Sequence, residues 1–182
     1  ASFSAQKFYG MKGIGGLIKK ENIVIDPLIH GGKSTTIWRS GTPALPLIVS
    51  TARALRLIYD DFENKLNHIE EVHDYLIEKL RTLDVDINSN DDCINQIVNY
   101  SLRGIKSEVM LHALEEDDIF VSTQTACSTG NYSIAIYALT HDEERSSSSM
   151  RVSISHLTTK DEIDKYIESL SKNIEKLGEL KR

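Results

Sequence analysis

Two side chains invite chemistry: the Lys7 amine in "SAQKFYGMKG" and the Cys127 thiol in "TACSTG". Taken alone, a lysine beside small residues and close to glycines reads as an ordinary solvated cation, so Lys7 needs company before it means more. Cys127 lies between Ala126 and Ser128 in a run of Ser, Thr and Gly, where nothing local calls for an apolar filler. A mobile, exposed position of that kind suits a nucleophile. Cys93 precedes an apolar run and reads as a small buried hydrophobe. Gly32, Lys33 and Ser34 look like the end of a phosphate-binding loop. However, the motif's first glycine falls on Pro27, and Gly41 and Pro43 stand where its helix should start. The six histidines are scattered, and a lone histidine such as His112 on a helical stretch carries little functional weight.

With 182 residues, 40% hydrophobic and 26% charged, the chain fits about one to one and a half globular domains with a real core. A net charge of −6 argues against binding nucleic acid by phosphate neutralisation, which needs a basic face. A small substrate or a protein partner fits better. No apolar run approaches bilayer-spanning length. The two cysteines form no CxxC pair and no zinc-spaced cluster, which points to neither a disulfide framework nor a structural metal. A reducing cytoplasm fits, and no secretory signal contradicts it. The opening "ASFSAQKFYG" has no initiator methionine and reads as a cut through a longer chain.

The elements that must hold these residues alternate along the chain rather than repeat. Ile14 to Ile18 reads as a short strand entered through glycines, and a second follows near Ile23 to Ile25. "PLIHGGKSTTIWRSGTP" has no period and reads as a long loop of the functional kind. From Pro43, apolar residues recur at helical spacing through Ile48, Ala52, Leu55 and Tyr59, with Pro46 in the first turn. A longer helix carries Leu66, Ile69, Val72 or His73, Leu76 and Leu80 on one stripe, is tall enough to bridge two domains, and ends in the turn residues Asn88 to Asp92. "CINQIVNYSL" reads as a strand, "KSEVMLHALEEDD" as a helix capped by Ser107, and "IFVS" as a brief buried strand. A short helix through Ile134 to Leu139 then precedes the polar tract "EERSSSS". "MRVSIS" alternates, with Met150, Val152 and Ile154 on a core face and Arg151, Ser153 and Ser155 on the other. The last helix opens on a capping box of Thr159 and Glu162.

The order of these pieces carries the most information. "SAQKFYGMKGIGGL", then "HGGKSTTIWRSGTP", then "TACSTG", then "MRVSIS" closely resembles the second half of the cysteine desulfurases. These are pyridoxal-phosphate enzymes of class V aminotransferase type that supply sulfur for iron–sulfur clusters and thiolated tRNA. The resemblance covers essentially the whole chain. It implies an α/β fold, the carboxyl-terminal part of a fold-type-I transferase that uses pyridoxal 5'-phosphate. Residues 1–62 would be a remnant of the large cofactor-binding domain, and residues 63–182 the small domain with the nucleophile loop.

The resemblance also implies roles. Lys7 matches the Schiff-base lysine, whose amine holds the cofactor and carries protons at the substrate α-carbon. Ser4 matches a hydroxyl that bonds the cofactor phosphate. Gln6 stands where the family usually has a histidine aimed at that phosphate, and it brings no positive charge. Thr42 matches a residue that reaches the phosphate of the other subunit's cofactor, which implies a homodimer, although Lys33 to Thr36 depart from the family's more acidic or amide-rich residues. Arg151 matches the arginine that grips the substrate α-carboxylate, a contact for which a guanidinium fork is well shaped. Ser155 and His156 replace the family's common Gly-Arg. Cys127 falls on the sulfur-accepting nucleophile.

The implied reaction converts L-cysteine to L-alanine and leaves a persulfide on Cys127 for a sulfur-acceptor protein, either a cluster scaffold or a tRNA-thiolation protein. Beside it, the charge, hydropathy and cysteine usage point to a cytoplasmic location, no metal, no membrane and no direct nucleic-acid contact. Two alternatives stand beside it: a class V aminotransferase or selenocysteine lyase, and a non-catalytic docking module for sulfur acceptors. A transaminating relative would not need Cys127. Because the resemblance begins at the Schiff-base lysine, the chain as given is expected to be an inactive piece, lacking most of the large sheet and the groups that hold the cofactor ring.

Overall fold

A computed structural model describes residues 1–32, 36–123 and 132–179. By its internal contacts the chain divides into two units, Ala1–Phe62 and Glu63–Arg182.

In the first unit, β1 (Ser2–Ser4) pairs antiparallel with β2 (Gly15–Leu17), and a 3-10 turn, Ala5–Phe8, follows β1 directly. After the long loop comes α1 (Leu45–Tyr59), with Pro46 in its first turn as the sequence requires. The expected strand near Ile23 to Ile25 is absent: Val24 is 88% exposed, and no described strand lies beside it. The helix forms as expected, but its buried face is shifted by one residue. Thr51 and Ala54 are buried, while Ile48 and Tyr59 are exposed. The reason is the partner, since α1 packs on the 3-10 turn and small residues permit that approach. The buried Thr51 hydroxyl is satisfied within its own helix, donating to the Leu47 carbonyl at 2.8 Å.

The second unit is built on a three-stranded antiparallel sheet in the order β3 (Asp86–Ile87), β4 (Ile97–Ser101), β5 (Ser149–Ser153). Its other elements are α2 (Phe62–Leu80), which starts at the boundary between the units, α3 (Ser107–Glu115), α4 (Ile134–Thr140), α5 (Glu143–Ser147) and α6 (Lys160–Glu179). Alternation sends Val98, Tyr100, Met150 and Val152 from the sheet into one core with Val72, Leu76 and Leu80 of α2, Met110 and Leu114 of α3, and Ile163 and Leu170 of α6. The Tyr100 and Tyr166 hydroxyls bond to each other inside that core, and burial pushes both phenols well above their ordinary range. The capping box at α6 is reciprocal: the Thr159 amide donates to Glu162 Oε2 at 2.8 Å, and the Glu162 amide donates to Thr159 Oγ1 at 3.3 Å.

Four local expectations are corrected. Ser107 is not the α3 cap; it lies inside the helix and its hydroxyl donates to the Ser147 carbonyl at 3.0 Å. "IFVS" is no buried strand: Phe120 is 78% exposed, and among the described residues the segment pairs with the sheet through a single bridge, Ser122 to Arg151. Cys93 is exposed, its thiol donating to Asn90 Oδ1 at 3.3 Å. The polar tract "EERSSSS" contains α5, capped by Asp142 Oδ1 accepting from the Arg145 amide at 2.9 Å. Arg145 then ties α5 to the sheet through Asn88 Oδ1 at 2.6 Å and the Ile87 carbonyl at 3.2 Å.

Candidate active site

A short hairpin delivers the Lys7 amine. The β1–β2 register sets Phe3 opposite Gly16 and Ser4 opposite Gly15. Both glycines answer to sterics: a Cβ on Gly16 would lie 2.2 Å from Phe3 Cζ, and one on Gly15 would lie 2.5 Å from the Phe3 carbonyl oxygen. The Phe3 ring therefore lies against β2 and meets Phe8 at 5.8 Å between centroids. Beyond Ser4 the 3-10 turn ends on Tyr9 in the left-handed region (φ 67°), and the Gly10 amide donates to the Ala5 carbonyl at 2.9 Å. Ala5 is fully buried, leaving Ser4, Gln6 and Lys7 exposed around it. Ser2, Phe3, Ser4, Lys7 and Phe8 line one open depression. The Ser4 hydroxyl makes no capping bond to the turn. Among the described residues no hydrogen bond or ion pair engages the Lys7 amine.

Thr42 lies in the same unit, exposed, at the end of the long loop and outside that depression. The loop is drawn together ahead of it, because the Ser40 amide and hydroxyl both donate to the Ile29 carbonyl at 3.2 Å. Lys19 Nζ sits 4.5 Å from the centroid of the Trp38 ring. Lys33 falls outside the described residues.

Arg151 belongs to the second unit, half-buried on the polar side of β5. Its Nη2 donates to Ser122 Oγ at 3.1 Å. Its Nε is buried and, among the described residues, has no acceptor. Next to this strand, the Ser155 amide donates to Thr158 Oγ1 at 3.0 Å and the Leu157 amide to Ser155 Oγ at 3.1 Å, so Ser155 serves a turn. Cys127 lies outside the described residues. The structure thus gathers Ser4, Gln6 and Lys7 on one turn, and it places Arg151 in the other unit beside a serine that the sequence did not single out. Among the described residues no group of three or more His, Cys, Asp or Glu side chains is placed to hold a metal ion. No described helix is long and apolar enough to cross a membrane.

The structure is similar to a NifS-like protein with a TM-score of 0.85 at 27% identity, over 96% of this chain and 45% of that one. A NifS-like protein from Rickettsia africae gives a TM-score of 0.82 at 25% identity, over 94% of this chain and 46% of that one. In sequence the chain is 32% identical to the cysteine desulfurase IscS of Rickettsia bellii, covering 99% of this chain and 45% of the relative. It is also 32% identical to the mitochondrial cysteine desulfurase of Saccharomyces cerevisiae, covering 98% of this chain and 37% of that protein. The chain therefore spans about half the length, or less, of these relatives, and its mixed α/β fold is that of part of a fold-type-I pyridoxal-phosphate protein. The pattern of the family "Aminotransferase class-V" matches residues 1–166. On that match, with this fold and this order of motifs, the chain belongs to the class-V aminotransferase family.

Proposed function

We propose that this chain carries the reacting residues of a cysteine desulfurase, in which L-cysteine gives up its sulfur to Cys127 and leaves as L-alanine. The observation that carries the reading is a pair in one depression, the Lys7 amine and the Ser4 hydroxyl, neither of them engaged by a hydrogen bond or ion pair among the described residues. An amine with a neighbouring hydroxyl donor fits a phosphorylated aldehyde, so the residues present suit pyridoxal 5'-phosphate. Lys7 would hold it covalently, Ser4 and Gln6 would donate to its phosphate, and Thr42 would reach the phosphate in the second subunit of a homodimer. Exposed apolar side chains on α1, among them Leu45 and Val49, support burial of this unit against further protein. When bound, the cofactor supplies an electron sink that makes the substrate α-proton acidic.

The chain's own residues do the rest. Arg151 receives the α-carboxylate, Lys7 moves the proton at the α-carbon, and the Cys127 thiolate attacks the substrate sulfur. The carbon–sulfur bond breaks, its electron pair stays with the β-carbon, and that carbon takes up a proton. Cys127 is left as a persulfide with no outside oxidant required. In this reading residues 1–62 belong to the large cofactor-binding domain and residues 63–182 to the small one. The persulfide passes to a sulfur-acceptor protein of cluster assembly or tRNA thiolation in the cytoplasm.

The test incubates the polypeptide containing this chain with pyridoxal phosphate and L-cysteine, then weighs the Cys127 peptide and measures alanine. Cys127→Ser is expected to abolish the 32-dalton persulfide increment, as expected for sulfur added to a thiol, while cofactor absorbance persists because the cofactor sits on Lys7. Unchanged alanine release in Cys127→Ser refutes the assignment.

A further inference from the structure

Among the described candidate site residues Arg151 is the best tethered, and its tether is Ser122. The two residues form a mutually hydrogen-bonded pair: the Arg151 amide donates to the Ser122 carbonyl at 2.6 Å, and the Ser122 amide donates to the Arg151 carbonyl at 3.1 Å. Residues paired in this way across an antiparallel bridge point their side chains to the same face. That is why Ser122 Oγ meets the guanidinium, accepting from Nη2 at 3.1 Å. On the other side of β5 the cross-strand neighbour is Asn99, and its side-chain carbonyl already accepts from Asn88 Nδ2 at 2.7 Å. Among the described residues Ser122 is thus the side chain that holds Arg151.

Among the described residues Ser122 engages only one corner of the guanidinium. A guanidinium offers five N–H donors in a rigid planar fork. Nη2 gives one to Ser122, while Nε is shut away from water without an acceptor among the described residues. A buried donor of this kind gains most from an acceptor that arrives with a negative charge. Fixing one corner of a planar group fixes the direction of its remaining donors. Resting on the desulfurase reading, we propose that Ser122 is a positioning residue: its hydroxyl sets the plane of the Arg151 guanidinium so that the remaining donors meet the α-carboxylate of the amino-acid substrate. This contact exists equally before and during reaction, so its loss belongs in KM rather than in kcat.

Two variants separate the hydroxyl from the backbone pair. Ser122→Ala removes the acceptor and leaves the bridge, and Ser122→Thr keeps the acceptor. The first readout needs no cofactor. In the 15N-labelled chain the Arg151 Nε–H signal, assigned by its loss in Arg151→Lys, is expected to exchange with water about tenfold faster or more in Ser122→Ala, as a freed side chain would. Ser122→Thr should restore slow exchange, and the β5 backbone amides should exchange alike in all three proteins. Equal Nε–H exchange in the three proteins overturns the proposal.

The second readout uses the holoenzyme. Ser122→Ala should raise KM for L-cysteine about tenfold with kcat within about twofold, and should add nothing in an Arg151→Ala background. An unchanged KM in an enzyme that turns over also overturns the proposal. A wild-type protein with no turnover of cysteine sinks the desulfurase reading instead, and the exchange measurement then decides the Ser122–Arg151 tie by itself.

Discussion

Replacing Tyr100 and Tyr166 together by phenylalanine should flatten the alkaline limb of the stability curve. Both phenols are buried in the core of the second unit, and among the described residues each is bonded only to the other. Burial raises both pKa values, so the folded state keeps its protons where an unfolded tyrosine, with a pKa of about 10, loses them. A raised folded-state pKa means stability that is complete below about pH 10 and declines as pH climbs towards the folded value. Above about pH 10 the unfolded chain gives up both protons while the folded core keeps them, so the pair removes roughly 2–3 kcal/mol by about pH 11.

The assay is urea unfolding followed by far-UV circular dichroism from about pH 8 to about pH 11, for wild type and the double variant. Subtracting the two curves cancels the lysines and the other tyrosines. At neutral pH the single Tyr166→Phe should cost about 1–3 kcal/mol, because it leaves the Tyr100 hydroxyl buried without a partner, and the double variant should cost less than the two singles summed. Wild-type and double-variant curves that run parallel across the alkaline range would refute the reasoning.

Two further outcomes follow from the geometry. Gly15→Ala should break the β1–β2 pairing that presents Lys7, since the new Cβ would face the Phe3 carbonyl oxygen at 2.5 Å, and amide exchange at residues 2–5 and 14–17 is the measurement. The Asp164 carboxyl is held below its usual range by the Tyr75 hydroxyl, which donates at 2.7 Å, and then by Lys79. A depressed folded-state pKa gives stability that is present above the ordinary carboxylate range and is lost as pH falls through the folded value. Asp164→Asn should therefore lower Tm near neutrality, and its deficit should shrink as acid protonates the wild-type group.

What could be read from the sequence was what depends on near neighbours. The alternation of "MRVSIS" is a parity rule, and it placed Met150, Val152 and Ile154 in the core with Arg151 on the opposite face before any contact was known. The α6 capping box is likewise local, its partners lying one turn apart. The α1 helix was legible while its face was not. Burial of Thr51 and Ala54 is decided by the turn they pack on, and side-chain hydrophobicity carries no record of that partner. α5 was hidden by its serines, although Asp142 followed by Glu143 and Glu144 is a helix-start signature. At the candidate site, Ser4, Gln6 and Lys7 are together because they are adjacent in sequence. Ser122 reaches Arg151 from 29 residues away through a bridge one residue long, a pairing too brief to leave a periodic signal.

The alternation of facing along β5 ties two properties that usually vary independently. Met150 is fully buried, its neighbour Arg151 faces the other way, and odd or even position alone decides which is which. A slip of one residue in pairing with β4 would send the guanidinium into the hydrocarbon core and the methionine onto the polar, part-buried face beside Ser122, so the error could not persist as a well-folded protein with a misdirected arginine. Folding here acts as its own proofreading. Correct placement of the core certifies the placement of Arg151, and insertions or deletions within β5 should be lost as insoluble chains rather than recovered as soluble proteins with weakened substrate binding.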